Sequence, residues 1–303
     1  MVEEWRIGTA HVHLPDAARL VLHKISQNLY LFMALAYLVV LLVYYLRSGI
    51  IFQFLLGAYA LVAVPIVWYL GRTREFLKNW MPLIVLLLSY EALNGLAGTF
   101  ASSGTLVNLY TYDKLLWGFN LTGTVQSLWN SAPLTIFFIF LYSLHFPLVI
   151  IASVYFWYTN KAIYGKYASA LLLTSYLGLI TFLIMPTAPP WYSGIAKDLM
   201  QDTQGPSVIF SSTIARLSSL IESDKFAAFP SLHTAYITLF SYYTVKAKLS
   251  LGLISLPLLV GVLLSTIYLG QHYVIDLVGG AAYALAVILV VNKLPRFRSA
   301  LGF

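Results

Sequence analysis

The sequence predicts an all-α integral membrane protein with about eight transmembrane helices, and three observations carry that expectation. Of its 303 residues 60% are hydrophobic and only 10% charged, against about a quarter charged in soluble domains. Apolar runs close to the ~20 residues needed to cross a ~30 Å hydrocarbon core recur along the whole chain. Lys and Arg, finally, are distributed unevenly between alternate connections, as they are when cytoplasmic loops carry the basic excess.

Taken in order, residues 1–26 hold charges and three His, with no apolar run of the kind a cleavable signal needs. They are expected to form a short amphipathic helix on the membrane surface, with Leu20, Val21 and Leu22 toward lipid. Spans are expected near 28–46, 50–70, 80–100, 132–158, 167–186, 230–246, 249–269 and 272–292. Content of 22 Tyr and 7 Trp suits a protein with many headgroup-level positions.

With both termini cytoplasmic, the outer segments hold only Arg47, Lys114, Lys197, Arg216 and Lys225, and all other Lys and Arg fall inside. The net charge of +7 thus follows from topology, and a nucleic-acid patch is not needed to explain it. The absence of Cys excludes disulfides, thiolate metal sites and cysteine nucleophiles.

Two long connections, 101–131 and 187–229, fall on the outer face. The second opens with MPTAPPWYSG, whose prolines stop a helix. Ile209, Ile214, Leu217 and Leu220 then recur at helical spacing, which predicts an interfacial helix over an aqueous cleft.

Ionisable residues inside spans are costly and mark functional sites by default. Glu91, His145, His233, His272 and Asp276 qualify. His272 and Asp276 stand four apart, so on a helix they share a face, and a carboxylate on one ring nitrogen leaves the other free as nucleophile. His233 and His272 open the sixth and eighth spans, which places both at the outer surface. Pro230 and Ser231 open the same sixth span, where unpaired N–H groups and the dipole favour an anion. Ser231 serves either as N-cap or as a hydroxyl for a bound oxyanion. Together these residues suit phosphoryl transfer, one His attacking and the other protonating the leaving oxygen. Each also has a structural reading. Phe229-Pro230-Ser231 is an ordinary helix start, His272 and Asp276 could be a polar pair between helices, and His145 ahead of Pro147 could take up a carbonyl freed by that proline. Glu91 could pair with a cation, bind a headgroup or act as a protonated donor.

FPSLHTA at 229–235 and STIYLGQHYVIDLVGG at 265–280 resemble the second and third signature motifs of the type 2 phosphatidic acid phosphatase superfamily, in the expected order. PTAPPWY at 186–192 and Tyr112-Asp113 resemble the inositol phosphorylceramide synthase branch. The resemblance implies a six-helix core, here residues 79–303 with loops 101–131 and 187–229, preceded at 1–78 by an interfacial helix and two peripheral spans. It implies His272 as the nucleophile that becomes a phosphohistidine, Asp276 as its orienting carboxylate and His233 as the acid. Ser231 and nearby amides would bind phosphate oxygens, and the chemistry requires no metal or other cofactor. Two departures from the pattern remove cations, the first being the absence of the first motif, Lys-x6-Arg-Pro. No Arg-Pro dipeptide exists for the first motif, and Thr266 stands where the third motif has Arg. Such cations contribute strongly to transition-state stabilisation, so Lys225, Lys114 and Arg216 are the candidates to replace them. Gln271, Glu91 and His145 complete the substrate-binding candidates.

The expected activity is that of an integral-membrane lipid phosphatase or phosphotransferase at the extracytoplasmic face, passing a lipid phosphate, diphosphate or phospho-headgroup to water or an alcohol. Its partners would be the membrane lipid substrate and the bilayer. A transporter or channel with a His/Asp/Glu path, or an inactive lipid-binding relative, are the alternatives.

Overall fold

The computed structural model describes residues 6–7, 10–11, 75, 79–85, 87, 89–90, 93, 106–200 and 226–293. The expected spans at 28–46 and 50–70, the 209–220 helix, and Glu91, Arg216 and Lys225 lie outside the described residues. Arg6–Ile7 (β1) and Ala10–His11 (β2) pair antiparallel. The interfacial helix expected of residues 1–26 therefore does not include this stretch.

Helical residues 75, 79–85, 87, 89–90 and 93 mark the third expected span. Two short helices follow, Tyr110–Trp117 (α1) and Leu121–Trp129 (α2), inside what the sequence presents as a loop. Gly118, at φ +77, ends α1 in the left-handed conformation that favours glycine, and Asn120 caps α2 by accepting the Gly123 N–H at 3.0 Å.

The membrane bundle is built from Ala132–Ser143 (α3), His145–Thr159 (α4), Lys161–Ile184 (α5), Leu232–Ala247 (α6), Leu249–Tyr268 (α7) and Val274–Lys293 (α8). Among the described residues four helical stretches are long and apolar enough to cross a membrane: Ala132–Thr159, which joins α3 and α4, then α5, α7 and α8. α5 starts six residues before the expected 167. Asn160 caps it by accepting the Ile163 N–H at 3.1 Å, and Lys161 is accommodated by Glu75 at 2.9 Å and by the Trp157 ring at 3.6 Å.

α6 has 16 residues and rises about 24 Å. It packs against α4, α5, α7 and α8, so protein rather than lipid surrounds it. The core it shares with them includes Phe156, Tyr167, Leu171, Leu239, Val262 and Val287, all 2% exposed or less. α6 meets α8 at a glycine pair. A Cβ on Gly280 would collide with the Ser231 carbonyl oxygen, and one on Gly279 with the Phe229 ring. The absence of those side chains is what lets the starts of the two helices touch.

Three connections are tied together beside that point. Val107 bridges Thr187, and Thr187 bridges Ala227, both in parallel. The Thr187 hydroxyl also accepts the Phe229 N–H at 2.9 Å, which fixes the chain entering α6.

Candidate active site

Ser231 is fully buried and caps α6, its Oγ accepting from the Thr234 N–H and hydroxyl at 3.3 Å each. Of the two readings open for it, the structure shows the helix cap. His233 follows within the first turn.

His272 stands before α8 rather than on it, which corrects the expected shared helix face. After α7, Gly270 adopts φ +81, and the N–H groups of Gln271 and His272 both return to the Thr266 carbonyl at 3.0 and 3.2 Å. The reversal ends the helical path, and α8 restarts at Val274. A Cβ on Gly270 would collide with the Lys197 carbonyl, because the 187–200 segment presses on this turn. Trp191 donates its N–H to the Gly270 carbonyl at 3.1 Å and its Nε1–H to Gln271 Oε1 at 3.1 Å. Gln271 Nε2 donates to Asp198 at 3.0 Å, and Gln126 Nε2 to the Tyr268 and Lys197 carbonyls at 2.9 Å each. Both ends of the Gln271 amide are thus engaged by the protein, so the PTAPPWY segment and Gln271 act together as a clamp.

Within that frame the ionisable groups are brought together. Asp276 is fully buried, its Oδ2 accepting the Tyr273 N–H at 2.8 Å and lying 3.4 Å from His272 Nδ1. Its carbonyl accepts the Ser231 N–H at 3.0 Å, joining the two motif segments directly. His272 Nε2 points the other way and lies 3.3 Å from His233 Nδ1. His233 in turn packs against His145 and Tyr142, with ring centroids 4.0 and 4.4 Å away. His145 Nδ1 lies 2.7 Å from the Tyr142 carbonyl and must carry the proton, since a carbonyl can only accept. That bond occupies a carbonyl where α3 breaks into α4, ahead of Pro147.

Asp113 is a site residue that residue chemistry alone did not single out. It is 3% exposed and its Oδ1 accepts the Ile275 N–H at 3.1 Å across 162 residues. Burial pushes its carboxyl above the usual range, outweighing the hydrogen bonds from Ile275 and Val274 that oppose the shift. Burial likewise pushes the Tyr273 phenol up to about 12. The signals in the sequence were the Tyr112-Asp113 resemblance and the lone carboxylate in the aromatic stretch YTYDKLLW.

Thr266, standing in place of a motif Arg, is fully buried and donates its hydroxyl to the Leu263 carbonyl at 2.8 Å. Lys114 is exposed on α1 beside Asp113, 5.9 Å from the Tyr110 ring. Among the described residues no three His, Cys, Asp or Glu converge as a metal-ligand set.

Residues 108–290 match the family model described as PAP2 superfamily. A phosphoinositol dihydroceramide synthase from Bacteroides thetaiotaomicron is 25% identical over 231 residues, covering 70% of this chain and 75% of that relative. An inositol phosphorylceramide synthase from Candida albicans is 21% identical over 244 residues, covering 75% of this chain and 50% of that relative, so the match spans half of its length. No solved structure matches the chain.

Proposed function

The chain belongs to the PAP2 superfamily, and from that premise we propose that it is a multi-pass membrane phosphotransferase that carries a phosphoinositol group through a phosphohistidine at His272. One observation carries the reading. His272 has Asp276 at Nδ1, 3.4 Å away, and presents Nε2 to a second imidazole 3.3 Å away.

In the first step His272 Nε2 attacks phosphorus, the bond to the lipid oxygen breaks, and protonated His233 gives that oxygen its proton. Asp276 accepts from Nδ1–H and stabilises the positive ring that forms. In the second step an acceptor hydroxyl attacks phosphorus while neutral His233 takes its proton, and the P–N bond breaks to restore His272. A phosphorus atom poised for attack stands about 3–3.5 Å from its nucleophile. The phosphoryl group therefore enters between the two rings, and His233 yields while His145 and Tyr142 limit how far it turns.

Substrate choice rests on the relatives. Both are named for a phosphoinositol or inositol phosphoryl group joined to a ceramide or dihydroceramide, so a phosphoinositol lipid is the donor and a ceramide-type alcohol the acceptor. With Thr266 turned onto its own helix, positive potential comes from the start of α6 and from Lys114, with Lys225 and Arg216 as the further candidates.

The site faces the extracytoplasmic side, with both termini cytoplasmic and residues 79–303 as the six-span core. Lys161, Lys166, Lys246, Lys248 and Lys293 stand at the helix ends opposite the histidines, which supports that orientation. At the histidine end Leu115, Leu116, Trp117, Leu128 and Trp129 are 44–78% exposed, as befits helices seated at headgroup depth. Among the described residues the ionisable groups His145, His233, His272 and Asp276 gather at one end of the bundle instead of lining a route across it, which disfavours an ion path.

The test is incubation of the purified protein with phosphatidylinositol and ceramide-type acceptors, following free phosphate, free inositol phosphate and new phospholipid. An inositol-bearing sphingolipid is the expected product. Free phosphate or inositol phosphate alone would identify a hydrolase, and no product from any lipid phosphate would refute the assignment.

A further inference from the structure

α1 reverses the usual order of burial. Its one buried residue is Asp113, 3% exposed, whereas Tyr112, Leu115 and Leu116 are 57, 78 and 59% exposed. Carboxylates are among the groups most rarely buried, and a buried one needs hydrogen bonds to offset its desolvation. Asp113 finds them at one place. Its Oδ1 accepts the Ile275 N–H at 3.1 Å, with the Val274 N–H beside it. These are the first two residues of α8, whose leading N–H groups have no partner within the helix.

The next residue is Asp276, which holds the Tyr273 N–H through Oδ2 at 2.8 Å and faces His272 Nδ1 at 3.4 Å. The aim of His272 Nε2 therefore depends on where the first turn of α8 stands, and that turn is gripped from outside the bundle. We propose that Asp113 is a positioning residue for phosphoryl transfer: its acceptor oxygen fixes the opening turn of α8 and so sets the direction in which His272 meets phosphorus. The role rests on the phosphohistidine reading of the same site. It touches neither substrate nor His272, so it governs the rate of attack and leaves donor binding alone.

Two substitutions separate the acceptor oxygen from everything else. Asp113→Asn keeps an oxygen at Oδ1, and Asp113→Ala removes it. The full-length protein in phosphatidylinositol vesicles is mixed with labelled donor and quenched at short times, giving the rate of phosphohistidine formation and the KM for donor. For Asp113→Ala the expected result is a rate loss approaching ~100-fold, the scale of a ~1 Å misplacement, with KM unchanged. Asp113→Asn is expected to retain most of the wild-type rate. A wild-type rate in Asp113→Ala, or an Asp113→Asn enzyme as slow as the alanine variant, overturns the role. If Asp113→Ala does not fold, Asp113→Asn decides alone, with a retained rate upholding the acceptor role and a collapsed rate overturning it. A wild-type protein that forms no phosphohistidine overturns the function itself and this role with it, whereas one that labels normally while Asp113→Ala labels equally fast overturns only the role of Asp113.

Discussion

Ser231 donates its backbone N–H to the carbonyl oxygen of Asp276 at 3.0 Å, so the helix start that carries His233 is bonded to the turn that orients His272. The contact is possible because Gly280 has no side chain where the Ser231 carbonyl passes.

Gly280→Ala is accordingly expected to push the two helix starts apart. The obstacle is backbone, which cannot rotate away, so the cost should reach about 1–3 kcal/mol, the range for overpacking. Thermal unfolding of the detergent-purified variant measures the stability loss, and phosphohistidine formation should fall with it. An Ala variant with native melting and native rate would mean that the contact does not constrain the site.

His233→Ala should slow transfer by about 10²–10⁴-fold when the leaving group is a lipid alkoxide, the usual range for a general acid. A phosphoester with an acidic phenol as leaving group does not need that proton, so the same variant should recover much of the first step. Comparing rates on the two ester classes checks this. Equal losses on both would assign His233 to binding instead of proton transfer.

Asp113 also predicts a pH dependence. Its carboxyl is raised in the folded protein by burial, so between the ordinary carboxylate range and that raised value the folded state holds more protons than the unfolded one. Stability contributed by this group is then fully present at low pH and declines as pH rises through that window. The unfolding free energy of wild type minus that of Asp113→Asn, measured over a pH series, should fall with rising pH. A flat or rising difference would contradict the buried placement of the carboxyl.

The exposed Leu115, Leu116, Trp117, Leu128 and Trp129 of α1 and α2 predict that this pair sits at the membrane surface. Trp117 and Trp129 fluorescence should be quenched by lipids brominated high on the acyl chain and spared by aqueous quenchers. Replacing every other Trp with Phe isolates the two signals. The reverse pattern would put the pair in water.

Much of the architecture was legible in advance because spans are specified by uninterrupted apolar length, and α5, α6, α7 and α8 stand close to where hydropathy places them. The start of α5 differs from its hydropathy placement because Lys161 reads as loop, whereas Glu75 and the Trp157 ring hold it at the helix end. α1 and α2 leave no signal in the sequence because helices of 8 and 9 residues complete too few turns to display a period, and because α1 turns its leucines outward.

In the site, the pairing of His233 with His272 was legible from two motifs 39 residues apart. The seat of His272 was not. Spacing of four suggested a helix face, while the positive φ of Gly270 and the two bonds to the Thr266 carbonyl hold it in a turn. Asp113 could not be assigned a partner from sequence at all, since the residue it caps lies 162 positions away.

The central claim is that His272 carries the phosphorylated intermediate. Its most direct measurement is to quench the enzyme during turnover with labelled phosphatidylinositol and map the modified residue by mass spectrometry under alkaline conditions. The account predicts an acid-labile, alkali-stable adduct on His272 that is absent from His272→Ala. An adduct on another residue, or full turnover by His272→Ala, would contradict it.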